Sequence, residues 1–224
     1  MPDGTPIAQS EHVLRLRSND ADELTTQIPD WDVELTQLQP GPFSGELTFI
    51  SLGPALICRG KFDQPLLEHV AGPRGCLIVT RPGRGSAPLR YLGREIEDDE
   101  CFIGGPASEG EAVSTGIQFP TALSVRLDAW QTAGEWLHES NLLTTRGTIL
   151  RRTGLPWASA FLDAMTWIFE AVERHPDMVA RADVRASMAD VLLARVDVLG
   201  TGDLPVRQDR PARLQRRVAV ERAR

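Results

Sequence analysis

Residues 46–62, ELTFISLGPALICRGKF, hold two short apolar runs cut by Gly53 and Pro54. Runs of this length, rich in branched and aromatic side chains and bounded by glycine and proline, predict two strands joined by a tight turn. The same punctuation extends outward. VELTQLQ (33–39) and PGPFSG (40–45) come before, while CLIVTR (76–81), LRYLG (89–93), ECFIG (100–104), AVSTGIQF (112–119) and ALSVRL (122–127) follow. About eight short strands at intervals of roughly 8–12 residues, with no helical stretch between them, predict an antiparallel sandwich or barrel rather than βαβ units.

Residues two apart on a strand point the same way, so alternation assigns faces. Leu47, Phe49 and Ser51 share one side, opposite Glu46 and Thr48. With Arg59 and Lys61 on the exposed face, Cys58 and Phe62 point inward, as do Cys76 and Ile78 on the strand that carries Arg81. Tyr91 and Phe102 join them. Phe49, Cys58, Phe62, Cys76, Ile78, Tyr91 and Phe102 are therefore the candidate interior, either filling the barrel or lining an effector pocket. Their apolar character favours an aromatic or aliphatic occupant over a sugar.

The period changes at Asp128, a capping residue type ahead of AWQTAGEWLHES (129–140). A loop with Arg151 and Arg152 is expected next. In PWASAFLDAMTWIFEAVERH (156–175) the proline suits a first helical turn, and Trp157, Phe161, Met165, Ile168 and Val172 recur along one face. A second segment, from about Met178 to Leu199, carries Met188, Val191, Leu192, Val196 and Leu199, so the two helices should pack antiparallel. Phe161, Met165, Ile168, Leu192 and Val196 are candidate contacts in a homodimer, with packing on the chain's own strands as the alternative. The fold class is then α+β, a mainly antiparallel β-barrel followed by an α-helical hairpin.

Four regions follow: a flexible arm over 1–22, a barrel over 23–127, a helical dimerisation region over 128–200, and a linker over 201–224. The linker, GTGDLPVRQDRPARLQ, lacks apolar periodicity, and the final LQRRVAVERAR reads as the start of another helix, as expected of a fragment.

Charge is distributed unevenly. Between Pro205 and Arg224, seven arginines against Asp209 and Glu221 give +5, which leaves −12 of the chain's net −7 on the other 204 residues. An acidic body is a poor match to phosphate, so contact with DNA is expected only at or beyond the C-terminal end. No run approaches the roughly 18 apolar residues of a membrane span, and no basic start precedes an apolar block, which points to a cytoplasmic protein without a membrane partner. Cys58, Cys76 and Cys101 form no CxxC pair and read as small buried hydrophobes.

Catalytic signatures are sparse. There is no GxSxG elbow and no phosphate-binding glycine loop, and His12, His69, His138 and His175 are too scattered to suggest a metal centre. EIEDDE (95–100) is expected as a solvated turn rather than a cation loop. Neither cofactor nor metal is anticipated.

The stretch IPDWDVELTQLQPGPFSGELTFISLG (28–53), followed by LLEHVAGPRGCLIV (66–79), resembles the N-terminal regulatory domain of AraC/XylS-type transcription regulators. The helical hairpin, polar linker and arginine-rich RLQRRVAVERAR (213–224) extend the resemblance. It implies a cupin-like jelly-roll barrel that binds a small-molecule effector, helices that pair two subunits, and promoter DNA read only through C-terminal helix-turn-helix units that this chain lacks. The rival expectation is a stand-alone cupin-like enzyme, an isomerase or lyase, with Glu68, His69 or Tyr91 as acid or base if they face the cavity.

Overall fold

The computed structural model describes residues 11–91, 93–106, 108–129, 148–201 and 207–209. Its nucleus is the hairpin anticipated at 46–62. Strands β3 (Gly45–Ser51) and β4 (Ala55–Phe62) pair antiparallel, with Ile50 opposite Ile57 and Phe49 opposite Cys58. Gly53, in the turn between them, has φ +87°, a left-handed conformation that glycine adopts without steric cost.

Two antiparallel sheets grow around this hairpin. The larger runs β1 (Val13–Ser18), β3, β4, β11 (Pro120–Arg126), β6 (Cys76–Pro82), β9 (Glu100–Gly104), β12 (Thr148–Arg152) and β13 (Arg207–Asp209). The smaller runs β2 (Asp32–Gln37), β5 (Leu66–Ala71), β10 (Glu109–Ser114), β7 (Leu89–Tyr91) and β8 (Arg94–Glu95). They face one another: Leu35 and Leu66 of the smaller sheet share a core cluster with Leu47, Phe49 and Phe62 of the larger. A short helix, α1 (Ala21–Thr26), seals this end with fully buried Leu24, its N-terminus capped by the Asp20 carboxylate.

The hairpin of α2 (Leu155–Arg174) and α3 (Ala182–Thr201) covers the opposite face of the larger sheet. Pro156 occupies the first turn of α2, and its buried positions follow the helical period through Phe161, Met165, Ile168 and Val172. The Trp157 indole donates to the Arg195 carbonyl at 2.9 Å and the Arg195 guanidinium donates to the Ala160 carbonyl at 3.1 Å, which ties the helices together. The chain is thus α+β, a barrel-like pair of antiparallel sheets followed by a helical hairpin. Among the described residues no helix is long and apolar enough to cross a membrane.

Several expectations change. The sheet begins at β1, inside the stretch expected as an arm over 1–22. Arg151 and Arg152 belong to strand β12, paired with Cys101 and Glu100, rather than to a loop. The second helix starts at Ala182, because Pro176–Ala180 form a 3-10 turn whose carbonyls at Val179 and Ala180 accept from Arg185. Arg207–Asp209 lie in a strand within the expected linker, and the helix expected after Asp128 lies largely outside the described residues.

The dimer candidates also find another role. Phe161, Met165, Ile168, Leu192 and Val196 are at most 1% exposed in the single chain, packed with Ile50, Ile57, Leu77 and Ile103 of the larger sheet. That sheet face is therefore covered rather than solvated: the Arg59 guanidinium lies over the Phe169 ring, 4.6 Å from its centroid, and pairs with Glu173.

Candidate functional site

Strand register explains why the space between the sheets stays open. Across the larger sheet Phe49, Cys58, Ala122, Thr80 and Phe102 stand in one row. Across the smaller sheet the row is Leu35, Glu68, Ala112 and Tyr91. In the larger sheet's row bulky side chains occupy the ends and small ones the middle, and in the smaller sheet's row Ala112 leaves room between Glu68 and Tyr91. Where Tyr91 meets Phe102, ring centroids 4.2 Å apart close one side, and Phe43 with Phe62 closes another, so the centre keeps a cavity of about 170 Å³. A void near 150 Å³ with apolar walls is enough to take a single aromatic ring. Gly110 contributes by absence: a Cβ there would sit 2.3 Å from the Tyr91 hydroxyl oxygen, so only glycine leaves that phenol its place.

Six of the seven pocket candidates, Phe49, Cys58, Phe62, Ile78, Tyr91 and Phe102, lie on the cavity wall. Cys76 does not: it shares the parity of Ile78 but sits at the first residue of β6, beyond the open space. The sequence reading leaves out Thr80, Ala112, Ala122 and Gly110, since small residues carry no apolar signal, along with Trp31, Val33 and Leu35 of the segment leading through β2.

Glu68 gives the wall its carboxylate. Of the three acid–base candidates it and Tyr91 reach the cavity, whereas His69, one residue on, points to the opposite face of the smaller sheet and lies 3.5 Å from Glu111. The Glu68 carboxyl has no hydrogen-bond or ion-pair partner among the described residues. Burial alone pushes its pKa up to about 7, because removing water penalises the charged form. Desolvation likewise pushes the Cys58 thiol well above its ordinary range, leaving a protonated and unreactive group.

Other polar atoms nearby are committed or enclosed. Arg81 touches the cavity edge, but its parity on β6 turns the side chain away, and its guanidinium donates to the carbonyls of Pro82 and Asp98. Its Nη1 and the Trp31 indole nitrogen are buried without a partner among the described residues. The acidic run at 95–100 forms a turn, as expected, ending in buried Glu100, which accepts from Arg94 at 2.6 Å and from the Glu97 amide at 3.0 Å. No cluster of three or more metal-ligating side chains occurs among the described residues.

No protein-family model and no curated protein matches the sequence. Among solved structures, the AraC-like transcriptional activator CuxR superposes with a TM-score of 0.61 at 14% identity, covering 88% of this chain and 73% of that one. At this identity the likeness is one of fold.

Proposed function

We propose that this chain is the effector-sensing domain of a cytoplasmic transcription regulator of AraC/XylS type. The observation that carries the reading is the apolar cavity between the sheets, in a fold shared with an AraC-like transcriptional activator. In this proposal the two sheets form a cupin-like barrel, the effector enters its centre, and occupancy shifts the population of states available to attached helix-turn-helix units, which alone read promoter DNA. The arginine-rich segment from 207 to 224 is the route to those units. Homodimer formation belongs to the same proposal, through residues other than the five candidates now spent in the chain's own core. Outer-face side chains of the hairpin such as Trp167 and Val198, both more than half exposed, are the ones left for it.

Thermal-shift screening of a small-molecule set against the 224-residue chain tests the reading. Stabilisation by a compound small enough for the cavity, lost in an Ala122→Leu variant, supports it; a set that leaves the melting temperature unmoved throughout overturns it. Light scattering checks the dimer. Glu68, a carboxyl poised near neutrality in an enclosed site, favours a second reading as a cupin-like isomerase or lyase, for which turnover of a bound compound is the test.

A further inference from the structure

The cavity contains a carboxyl group that has no partner among the described residues. Glu68 stands in the middle of the smaller sheet's inner row, with Leu35 and Ala112 on its flanking strands. Cys58, Ala122 and Thr80 stand in the middle of the facing row. Titratable groups on the wall are few. Cys58 comes from β4 and Tyr91 from β7, Arg81 touches the edge of β6 with Nε and Nη2 donating to the Pro82 and Asp98 carbonyls and Nη1 without a partner among the described residues, and the lining positions of β2, β3, β9, β10 and β11 supply none. A half-buried carboxyl that faces an apolar cavity with no partner among the described residues is costly in its ionised form, an apolar occupant leaves that cost in place, and an anion beside the ionised form adds to it. A protonated nitrogen removes it, through a charge-assisted hydrogen bond. The aromatic rings at the ends of the rows present faces that also attract a cation.

Resting on the sensor reading, we infer that the effector is a small organic cation, an amine carried on one ring or a comparably short apolar body, whose ammonium group pairs with Glu68. Its size is set by the cavity of about 170 Å³. Its orientation is set by the carboxyl on one wall and the row of Cys58, Ala122 and Thr80 opposite.

The test uses benzylamine, benzyl alcohol and benzoate as matched probes, with calorimetric titration of the wild-type chain and of E68Q at pH 6 and pH 8. Benzylamine stays protonated throughout, so ionisation of Glu68 controls its pairing. Its affinity for the wild type should rise about tenfold from pH 6 to pH 8, the change expected for a carboxyl titrating near 7. E68Q should lose both the rise and the preference for the amine while keeping its affinity for benzyl alcohol. Benzyl alcohol or benzoate binding the wild type as tightly as benzylamine, or benzylamine binding E68Q undiminished, overturns the cation assignment and leaves the sensor reading standing. Failure of all three probes also overturns it, whereas failure of a broad compound set removes the sensor reading as well. If E68Q does not fold, the wild-type pH profile of benzylamine against benzyl alcohol decides.

Discussion

The two faces of the larger sheet are built from the same strands and end in opposite states. Toward the hairpin they present Ile50, Ile57, Leu77, Val79, Ile103 and Leu123, all at most 1% exposed. Toward the smaller sheet the middle of the row is Cys58, Ala122 and Thr80, and the space remains open. One residue of register separates the two sets, since pleating sends neighbours to opposite sides. The difference places a filled core on the helical side and the cavity on the other.

The strongest way to break this division is to truncate the packed side. Phe161 is fully buried between α2 and the sheet and stacks on Trp157, with ring centroids 5.2 Å apart. Phe161→Ala should cost about 3–5 kcal/mol in urea unfolding, through lost transfer energy and the cavity left behind. A loss under about 2 kcal/mol would mean that the hairpin contributes little to the sheet's stability.

Glu68 sharpens the comparison from the open side. Its carboxyl titrates near 7 in the folded chain against an ordinary 4.5, so between those values the folded state holds a proton that the unfolded chain has released. Stability from this group is therefore fully present below about pH 4.5 and is lost as pH rises through 7, by as much as about 3 kcal/mol. The amide introduced by E68Q cannot titrate. Relative to wild type, E68Q should gain stability from pH 5 to pH 8 by a comparable amount in denaturant titrations, and parallel curves for the two proteins would show that the carboxyl is solvated.

These contrasts explain how far the sequence can be read. Alternation places Phe49, Cys58, Phe62, Ile78, Tyr91 and Phe102 on the cavity wall because each sits in a strand with clear punctuation. Strand β5 escapes the same reading. In LLEHVA the inward position between Leu66 and Val70 is Glu68, so the residue that gives the cavity its carboxyl also disrupts the pattern that would have revealed its strand. The face of the hairpin is legible and its covering is not: an apolar stripe shows that something packs there without saying what. The signal lies in the strands, since consecutive apolar pairs such as Ile57–Cys58, Ile78–Val79 and Phe102–Ile103 mark a sheet covered on both sides, whereas simple alternation treats β4 and β6 as covered on one. The small residues that make the void, Gly110, Ala112 and Ala122, acquire meaning only once register sets them among large neighbours.

The smallest expected effect is the most direct test of the two faces, because the same substitution is made on each. Ala189 on α3 is 1% exposed within the helix-side core, and Ala122 on β11 borders the cavity. Ala189→Leu forces added methylenes into filled space and should cost about 1–3 kcal/mol. Ala122→Leu extends into the void and should change stability by less than about 1 kcal/mol, since burial of new apolar surface offsets any strain. The second variant should nevertheless abolish binding of any compound that stabilises the wild type, as its side chain occupies the ligand's place. Equal losses in the two variants would mean that the inner row collapses around Ala122 in solution, and a fully stable Ala122→Leu that still binds would move the ligand site away from the centre of the sheets.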